Sequence, residues 1–219
     1  MLLSCLFLFF FFNDPATTEI YTLSYTTLFR SGVIKWVGSN ITGASDSAGY
    51  GSDPKAPYAT LDYAIGQCTA DKGDHILLMP KHAETSTAIA ADIAGITIQG
   101  IGHGRLRPTL TATTAATDLI DVTAANVLIK NFRVVGSASG VTSLISIAAH
   151  DFSCEDCVLE QAATPLIGVI VTGGYDRFRF SDCLFLGTAA GPNAAIDLQG
   201  SGNCVDWTVE RCTFNYESS

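Results

Sequence analysis

Short strands of alternating apolar and polar residues recur through the second half of this 219-residue chain. Each copy has two apolar residues two positions apart, a two-residue polar bend, and two more apolar residues two positions apart. The four copies are residues 127–134, 152–159, 178–185 and 207–214. Such alternation predicts a strand with one buried face. Because each copy buries its apolar face only against its neighbours, the repeat predicts a solenoid of stacked coils.

The bend sets the period of the repeat and its corners. The first residues after the four bends are Phe132, Cys157, Cys183 and Cys212, which are 25, 26 and 29 residues apart. The second bend residues are Asn131, Asp156, Asp182 and Arg211. Asn and Asp tolerate the left-handed backbone conformation that a sharp corner requires. A β-propeller, the main alternative, repeats at about 40 residues or more and does not fit this period.

A second column of apolar pairs precedes the first in each coil. The pairs are Ile120 with Val122, Ile145 with Ile147, Val169 with Val171 and Ile196 with Leu198, and two earlier coils contribute Ile76 with Leu78 and Ile96 with Ile98. The strand columns stay fixed while the loops between them vary in length. The pattern therefore predicts an all-β fold, a parallel solenoid over residues 73–219.

The sequence before this region lacks the repeat. Residues 32–57 are rich in Gly, Ser and Asp, which predicts an irregular N-terminal arm. Residues 58–72 predict a short helix, because several apolar residues share one helical face. They are Leu61, Ala64, Ile65 and Cys68. The open end of a solenoid core needs a cover, and we expect this helix to cap it.

Residues 1–31 do not fit the rest of the chain. The apolar run at residues 2–12 is too short to span a membrane as a helix. No Lys or Arg precedes it and no small-residue cleavage site follows, so it is a poor signal peptide, although a signal peptide is the alternative. Residues 13–31 resemble the translation of a common short-read sequencing adapter, preceded by translated poly-T. We therefore expect residues 1–31 to be a non-native, adapter-derived segment.

The last repeat stops close to Ser219 and leaves no sequence for a cap. An uncapped coil exposes an unpaired strand edge, which natural proteins usually cover. We expect either that the C-terminus is truncated or that another subunit covers the last coil.

The bend-and-strand pattern resembles that of right-handed parallel β-helix proteins, a group that includes pectate-lyase-like enzymes and phage tailspikes. Residues 59–65, 73–80 and 82–85 look like the opening of uncharacterised β-helix proteins from phage-derived sequences. The resemblance covers residues 50–215 and implies a right-handed parallel β-helix with a short N-terminal capping helix. It implies little about activity, because this fold hosts many functions.

Charge and cysteine content limit the classes of partner. The net charge is −9 and the basic residues are scattered, so we expect no nucleic-acid partner, and we also expect no membrane partner.

Cys157, Cys183 and Cys212 fall in one inward column, which predicts a ladder of small apolar side chains. A metal site is disfavoured, because Cys154-x-x-Cys157 has no second such pair or well-spaced His. A disulfide that involves Cys204 is the other alternative, and we predict neither a metal nor a cofactor.

Few carboxylates are placed for catalysis. Glycoside hydrolysis needs two carboxyl groups about 5–5.5 Å apart for retention or about 6.5–9.5 Å apart for inversion. Asp121 and Asp197 share an outward column but lie three coils apart, roughly 14 Å at the strand spacing. Asp156 and Asp182 lie one coil apart and are weak catalytic candidates, because Asp is the expected residue at a corner. We interpret Gly102-His103-Gly104, which resembles a polygalacturonase motif, as a turn between coils.

The outer face predicts a contact surface. After the corner, alternate residues point outward, and the apolar ones are Val135, Val158, Leu184 and Leu186. An apolar outer patch usually marks an interface. We expect a neighbouring chain to pack there, either another virion subunit or a second copy in a homotrimer.

The leading functional hypothesis is a non-catalytic phage virion protein, structural or host-recognising, that contacts a host surface polysaccharide. The alternatives are a polysaccharide lyase or glycoside hydrolase of the pectate-lyase-like class, and a secreted bacterial adhesin. The expected location is the virion or the extracellular space.

Overall fold

A computed structural model describes most of the chain beyond its first residues. The described residues are 32–112, 118–162, 167–187, 194–199 and 203–216. The predicted adapter-derived segment, residues 1–31, lies outside them. Residues Ser31–Ser219 form one compact unit.

Within the described residues, the chain forms short strands, one α-helix and one 3-10 helix. In chain order they are β1 (Ile34–Val37), α1 (Leu61–Gly66), β2 (His75–Leu78), β3 (Ala83–Ser86), β4 (Ile89–Ala91), β5 (Thr97–Gly100), η1 (Gly104–Leu106), β6 (Thr109–Ala112), β7 (Asp118–Val122), β8 (Leu128–Lys130), β9 (Arg133–Gly136), β10 (Ser143–Ile147), β11 (Ser153–Glu155), β12 (Val158–Gln161), β13 (Ile167–Thr172), β14 (Arg179–Ser181), β15 (Leu184–Gly187), β16 (Ala194–Gln199), β17 (Thr208–Glu210) and β18 (Thr213–Tyr216).

The strands stack into three parallel sheets. The first sheet has the order β1-β2-β5-β8-β11-β14-β17, the second β16-β13-β10-β7-β4, and the third β18-β15-β12-β9-β6-β3. Successive coils contribute one strand to each sheet, and every pairing between these strands is parallel. The protein is therefore a parallel β-solenoid of about five turns, as the repeat predicts.

The predicted inward columns form the core, with one correction. Ile76 with Leu78 and Ile96 with Ile98, predicted as early members of the second column, belong to the first sheet with β2 and β5, and the second-sheet strands of those coils are β4 and β7. In the first sheet, Ile129, Cys154, Phe180 and Val209 are in register across four strands. The first three are buried, as are Phe132, Val134, Leu159 and Phe185 beyond the corner. The last coil differs, because no further described coil covers it. Its Trp207 and Phe214 are 48% and 47% exposed, although each ring stacks on a phenylalanine of the coil below.

The corners adopt the predicted backbone conformation. The second bend residues Asn131, Asp156, Asp182 and Arg211 have φ values of 56°, 48°, 56° and 53°. A second left-handed column, which the repeat analysis missed, precedes the first-sheet strands. It comprises Asn126, Asp151, Arg177 and Asp206, with φ between 57° and 61°. Each coil therefore turns sharply on both sides of its first-sheet strand.

The N-terminal region is more ordered than its composition predicts. The predicted irregular arm contains β1, which pairs in parallel with β2 and begins the first sheet. A strand of four residues is too short for its alternation to stand out in the sequence. The helix is shorter than the predicted span of residues 58–72, because it begins after the N-cap Thr60 and ends at Gly66. It packs beside β1, β2 and β4 at this end of the solenoid.

A buried His82–Glu84 pair ties the arm and the helix to the first coils. Glu84 Oε2 accepts a hydrogen bond from the Leu61 amide at 2.8 Å and lies 3.1 Å from His82 Nε2. The Ser39 amide donates to His82 Nδ1 at 3.0 Å, so Nδ1 acts as an acceptor and Nε2 carries the proton. Satisfied buried polar groups of this kind fix neighbouring segments in a single arrangement.

The cysteines form an apolar, thiol-lined strip of the core. Cys154, Cys157 and Cys183 are buried, Cys204 and Cys212 are half-buried, and all are free thiols. Burial raises the pKa of Cys154 well above its ordinary value, which keeps that thiol protonated. The structure thus confirms the inward ladder and does not contain the alternative disulfide through Cys204.

The ladder makes the core sensitive to charge at Cys183. Cys183→Asp should prevent folding, because it buries an unpaired carboxylate. Cys183→Ala should cost only about 1 kcal/mol for the small cavity that it leaves. Urea unfolding followed by circular dichroism measures both, with Cys204→Asp as the control at a half-buried position outside the ladder. If both Cys183 variants fold equally well, the column does not face the core.

Candidate functional site

The two candidate catalytic carboxylates are held by separate arginines. Asp156 Oδ1 lies 2.9 Å from Arg107 Nη2. Arg211 donates from Nε and Nη2 to the two Asp182 oxygens, both at 2.8 Å, and these bonds lower the pKa of Asp182. A general acid requires the opposite shift. The corner carboxylates are therefore partners in ion pairs between coils, Asp182 with the next coil and Asp156 with a coil two turns earlier.

The second pair of carboxylates is far apart, as the sequence predicts. Asp121 and Asp197 occupy one column of the second sheet, separated by Ser146 and Ile170 on the two intervening strands. Burial and the nearby Asp118 raise the pKa of Asp121, and a hydrogen bond with Ser146 opposes this shift. No arrangement of two cooperating carboxylates results from this column.

The predicted outward residues lie together on the third sheet. Val158 pairs with Leu184, and Val135 and Leu186 flank Glu160 in the adjacent column. All four apolar side chains are half-buried. We call Val135, Val158, Leu184 and Leu186 the apolar patch.

A groove of about 440 Å³ adjoins the apolar patch. We call it the arginine groove, and its lining residues are Gly104, Arg105, Arg107, Thr109, Arg133 and Val158. Val158 belongs to both surfaces, so the groove and the patch are continuous.

The turn that joins β5 to β6 within one coil supplies one wall of the groove. Gly102 and Gly104 have φ values of 102° and 57°, which permit the chain to leave β5 and form η1. A Cβ atom at Gly102 would lie 2.9 Å from the Leu106 carbonyl oxygen, so only glycine fits there. The Lys81 amide donates to the same carbonyl at 2.9 Å and holds the turn against the preceding coil. The Gly102-His103-Gly104 motif is thus a turn, as predicted, but it lies within one coil, at the corner between the first and third sheets, and not between coils.

The third sheet supplies the opposite wall. Arg133 begins β9 directly beside Thr109 of β6, and Val158 of β12 is its neighbour on the other side. Arg133 forms an ion pair with Glu160 through Nη2. Its Nε atom is buried and has no hydrogen-bond partner among the described residues. A buried donor without a partner is uncommon and costs free energy unless an acceptor reaches it.

The charges of the groove differ from those of the chain as a whole. Arg107 and Arg133 each have one carboxylate partner, Asp156 and Glu160. Arg105 is exposed, and no ion pair to it occurs within the described part of the chain. Three guanidinium groups against two carboxylates leave a local excess of positive charge on a protein of net charge −9.

The sequence interpretation missed this cluster, because the arginines lie up to 28 residues apart and seemed scattered. The missing signal was the register between coils. Once β6 is aligned with β9, Thr109 lies opposite Arg133, and Arg105 and Arg107 lie four and two residues before Thr109. Counting basic residues along the chain does not detect such a juxtaposition.

No known protein family, curated protein or solved structure matches the chain. Among the described residues, no group of three or more His, Cys, Asp or Glu is placed to hold a metal ion. No helix in the described part of the chain is long and apolar enough to cross a membrane.

The ion-paired corners generate a prediction about catalysis. The purified protein should release neither unsaturated nor reducing ends from acidic polysaccharides, with or without calcium, because Asp156 and Asp182 are engaged by different arginines. Absorbance at the unsaturated product and a reducing-end assay measure this. The protein would instead be an enzyme if turnover is observed, if Asp156→Asn or Asp182→Asn abolishes it, and if Asp151→Asn leaves it intact.

Proposed function

We propose that the protein is a non-catalytic recognition protein of a phage particle, which packs against neighbouring chains and contacts host polysaccharide. The observation that carries this proposal is the continuity of the apolar patch with the arginine groove at Val158. The patch suits a protein neighbour, and the groove suits a ligand that requires many hydrogen-bond donors.

The solenoid supports this role mechanically. Stacked coils hold outward side chains at a fixed spacing of about 4.8 Å, so an extended ligand can contact several coils at once. The inward side chains lock each strand in place, which keeps the surface preorganised and reduces the entropy lost on binding. An elongated polysaccharide is the kind of ligand that such a surface fits.

The part of the apolar patch away from the groove, Val135, Leu184 and Leu186, serves as the subunit contact, and Val158 stays open to the groove. Val135 and Leu186 lie beside Glu160, whose carboxylate is already engaged by Arg133, so covering this surface does not leave that charge unpaired. Burial of apolar side chains is the main favourable contribution to such contacts. Self-association as a homotrimer, or packing on other virion subunits, follows from the proposal.

Light scattering tests the subunit contact. The wild-type chain should associate, and Leu184→Lys should shift it to monomer, because the lysine charge would be buried at the interface. Leu128→Lys is the matched control, since Leu128 is a half-buried leucine on the outer face of the first sheet. A chain that stays monomeric at high concentration, or an association that Leu184→Lys leaves unchanged, contradicts the contact.

Carbohydrate contact is tested on immobilised bacterial surface polysaccharides, neutral and acidic. We expect the wild-type chain to bind at least one of them without releasing product. Thr109→Trp should block binding by filling the groove, whereas Thr97→Trp, at a half-buried outward threonine of the first sheet, should not. Binding that both variants retain would place the carbohydrate elsewhere, and release of product would favour the lyase or hydrolase alternative.

A further inference from the structure

The arginine groove holds more hydrogen-bond donors than acceptors. Arg105 has no carboxylate partner in the described part of the chain, and Arg107 and Arg133 each use only Nη2 in their ion pairs. The Nε donor of Arg133 has no partner among the described residues, but it is buried, so a ligand in the groove reaches it only if the side chain moves. Within the described residues, the exposed Arg105 guanidinium group is therefore the group of the groove that an added acceptor can engage without displacing a carboxylate.

We propose that the arginine groove binds the carboxylate group of an acidic sugar, so that the polysaccharide recognised by this protein contains uronic acid residues. This inference rests on the proposed function and specifies its ligand. A carboxylate presents two oxygens in one plane, which match the planar donors of a guanidinium group. The adjoining Val158 side chain offers an apolar surface to the C–H face of the sugar ring.

The charges of the groove favour a carboxylate over a phosphate. Asp156 and Glu160 already sit beside two of the three arginines, and they would repel a doubly charged phosphate more strongly than a singly charged carboxylate. A nucleic-acid backbone would in addition meet the net charge of −9 that the rest of the chain carries. The single negative charge of a sugar carboxylate matches the one guanidinium group, that of Arg105, that exceeds the number of carboxylates in the groove.

Other arginines of the solenoid lack this spare capacity. Arg177 donates through Nε and Nη2 to both oxygens of Asp151, at 2.6 and 2.8 Å. Arg179 donates through Nε and Nη2 to Glu210 on the neighbouring strand. Arg179 is also exposed on the first sheet, away from the groove, so it provides a control for the loss of one positive charge.

Calorimetry with two polyuronates, polygalacturonate and polymannuronate, tests the inference, each against its carboxyl-reduced, neutral form. The wild-type chain should bind at least one charged polymer about tenfold more tightly than its neutral form, as expected for one charge-assisted hydrogen-bonded contact. Arg105→Gln should remove about that tenfold preference, and Arg105→Lys should retain part of it. Free glucuronate should compete, and glucose should not.

Arg179→Gln, which changes the net charge equally, should leave the preference for the charged polymer unchanged. Three results would each overturn the carboxylate site. The charged and neutral polymers could bind equally, Arg105→Gln could leave binding unchanged, or Arg105→Gln and Arg179→Gln could weaken binding to the same extent. If neither polyuronate binds in either form, the carboxylate site is also overturned. If a neutral polysaccharide binds and Thr109→Trp blocks its binding, the proposed function stands and only the inference of a carboxylate site fails.

Discussion

Every strand of a parallel solenoid depends on the coils on either side of it. Its backbone hydrogen bonds are made to neighbouring strands, and its inward side chains are buried only when another coil lies above them. The middle coils meet this requirement, and Ile129, Cys154 and Phe180 are accordingly buried in one column. Trp207 of the last coil remains half-exposed for the same reason, because only one of its faces is covered. The apolar columns thus hold the remaining features of the molecule in place.

The corners place charged side chains at regular positions on the outside of the stacked coils. Left-handed residues on both sides of the first-sheet strands place Asp, Asn and Arg side chains on the outside, where neighbouring coils bring opposite charges together. Arg211 with Asp182 and Arg177 with Asp151 are examples. Exposed ion pairs of this kind contribute little stability individually. Asp156 and Asp182, the two candidate catalytic carboxylates, are thus each engaged by a different arginine.

The groove departs from this balanced pattern. A turn after β5 and a strand one coil later bring three arginines together against two carboxylates, directly beside an apolar patch. The stacked coils form a rigid base, and the turn after β5 adds a local change in its surface. Solenoids and other repeat folds acquire binding sites in this way without altering their core. The proposed recognition of an acidic polysaccharide beside the proposed subunit contact would account for both the excess donors and the apolar surface. No part of this account requires chemistry at the corner residues.

The sequence by itself determined the solenoid, the inward columns of the later coils, the left-handed corners at Asn131, Asp156 and Asp182, and the outward position of the apolar patch. These features depend on alternation and spacing within one repeat, which can be counted along the chain. The tertiary structure alone decided the strand β1, the buried His82–Glu84 pair and the arginine groove. Each of these joins residues from different coils or from outside the repeat, so its existence depends on loop lengths and on the register between strands. That register is fixed by packing in three dimensions, and no local pattern encodes which outward side chains it brings together.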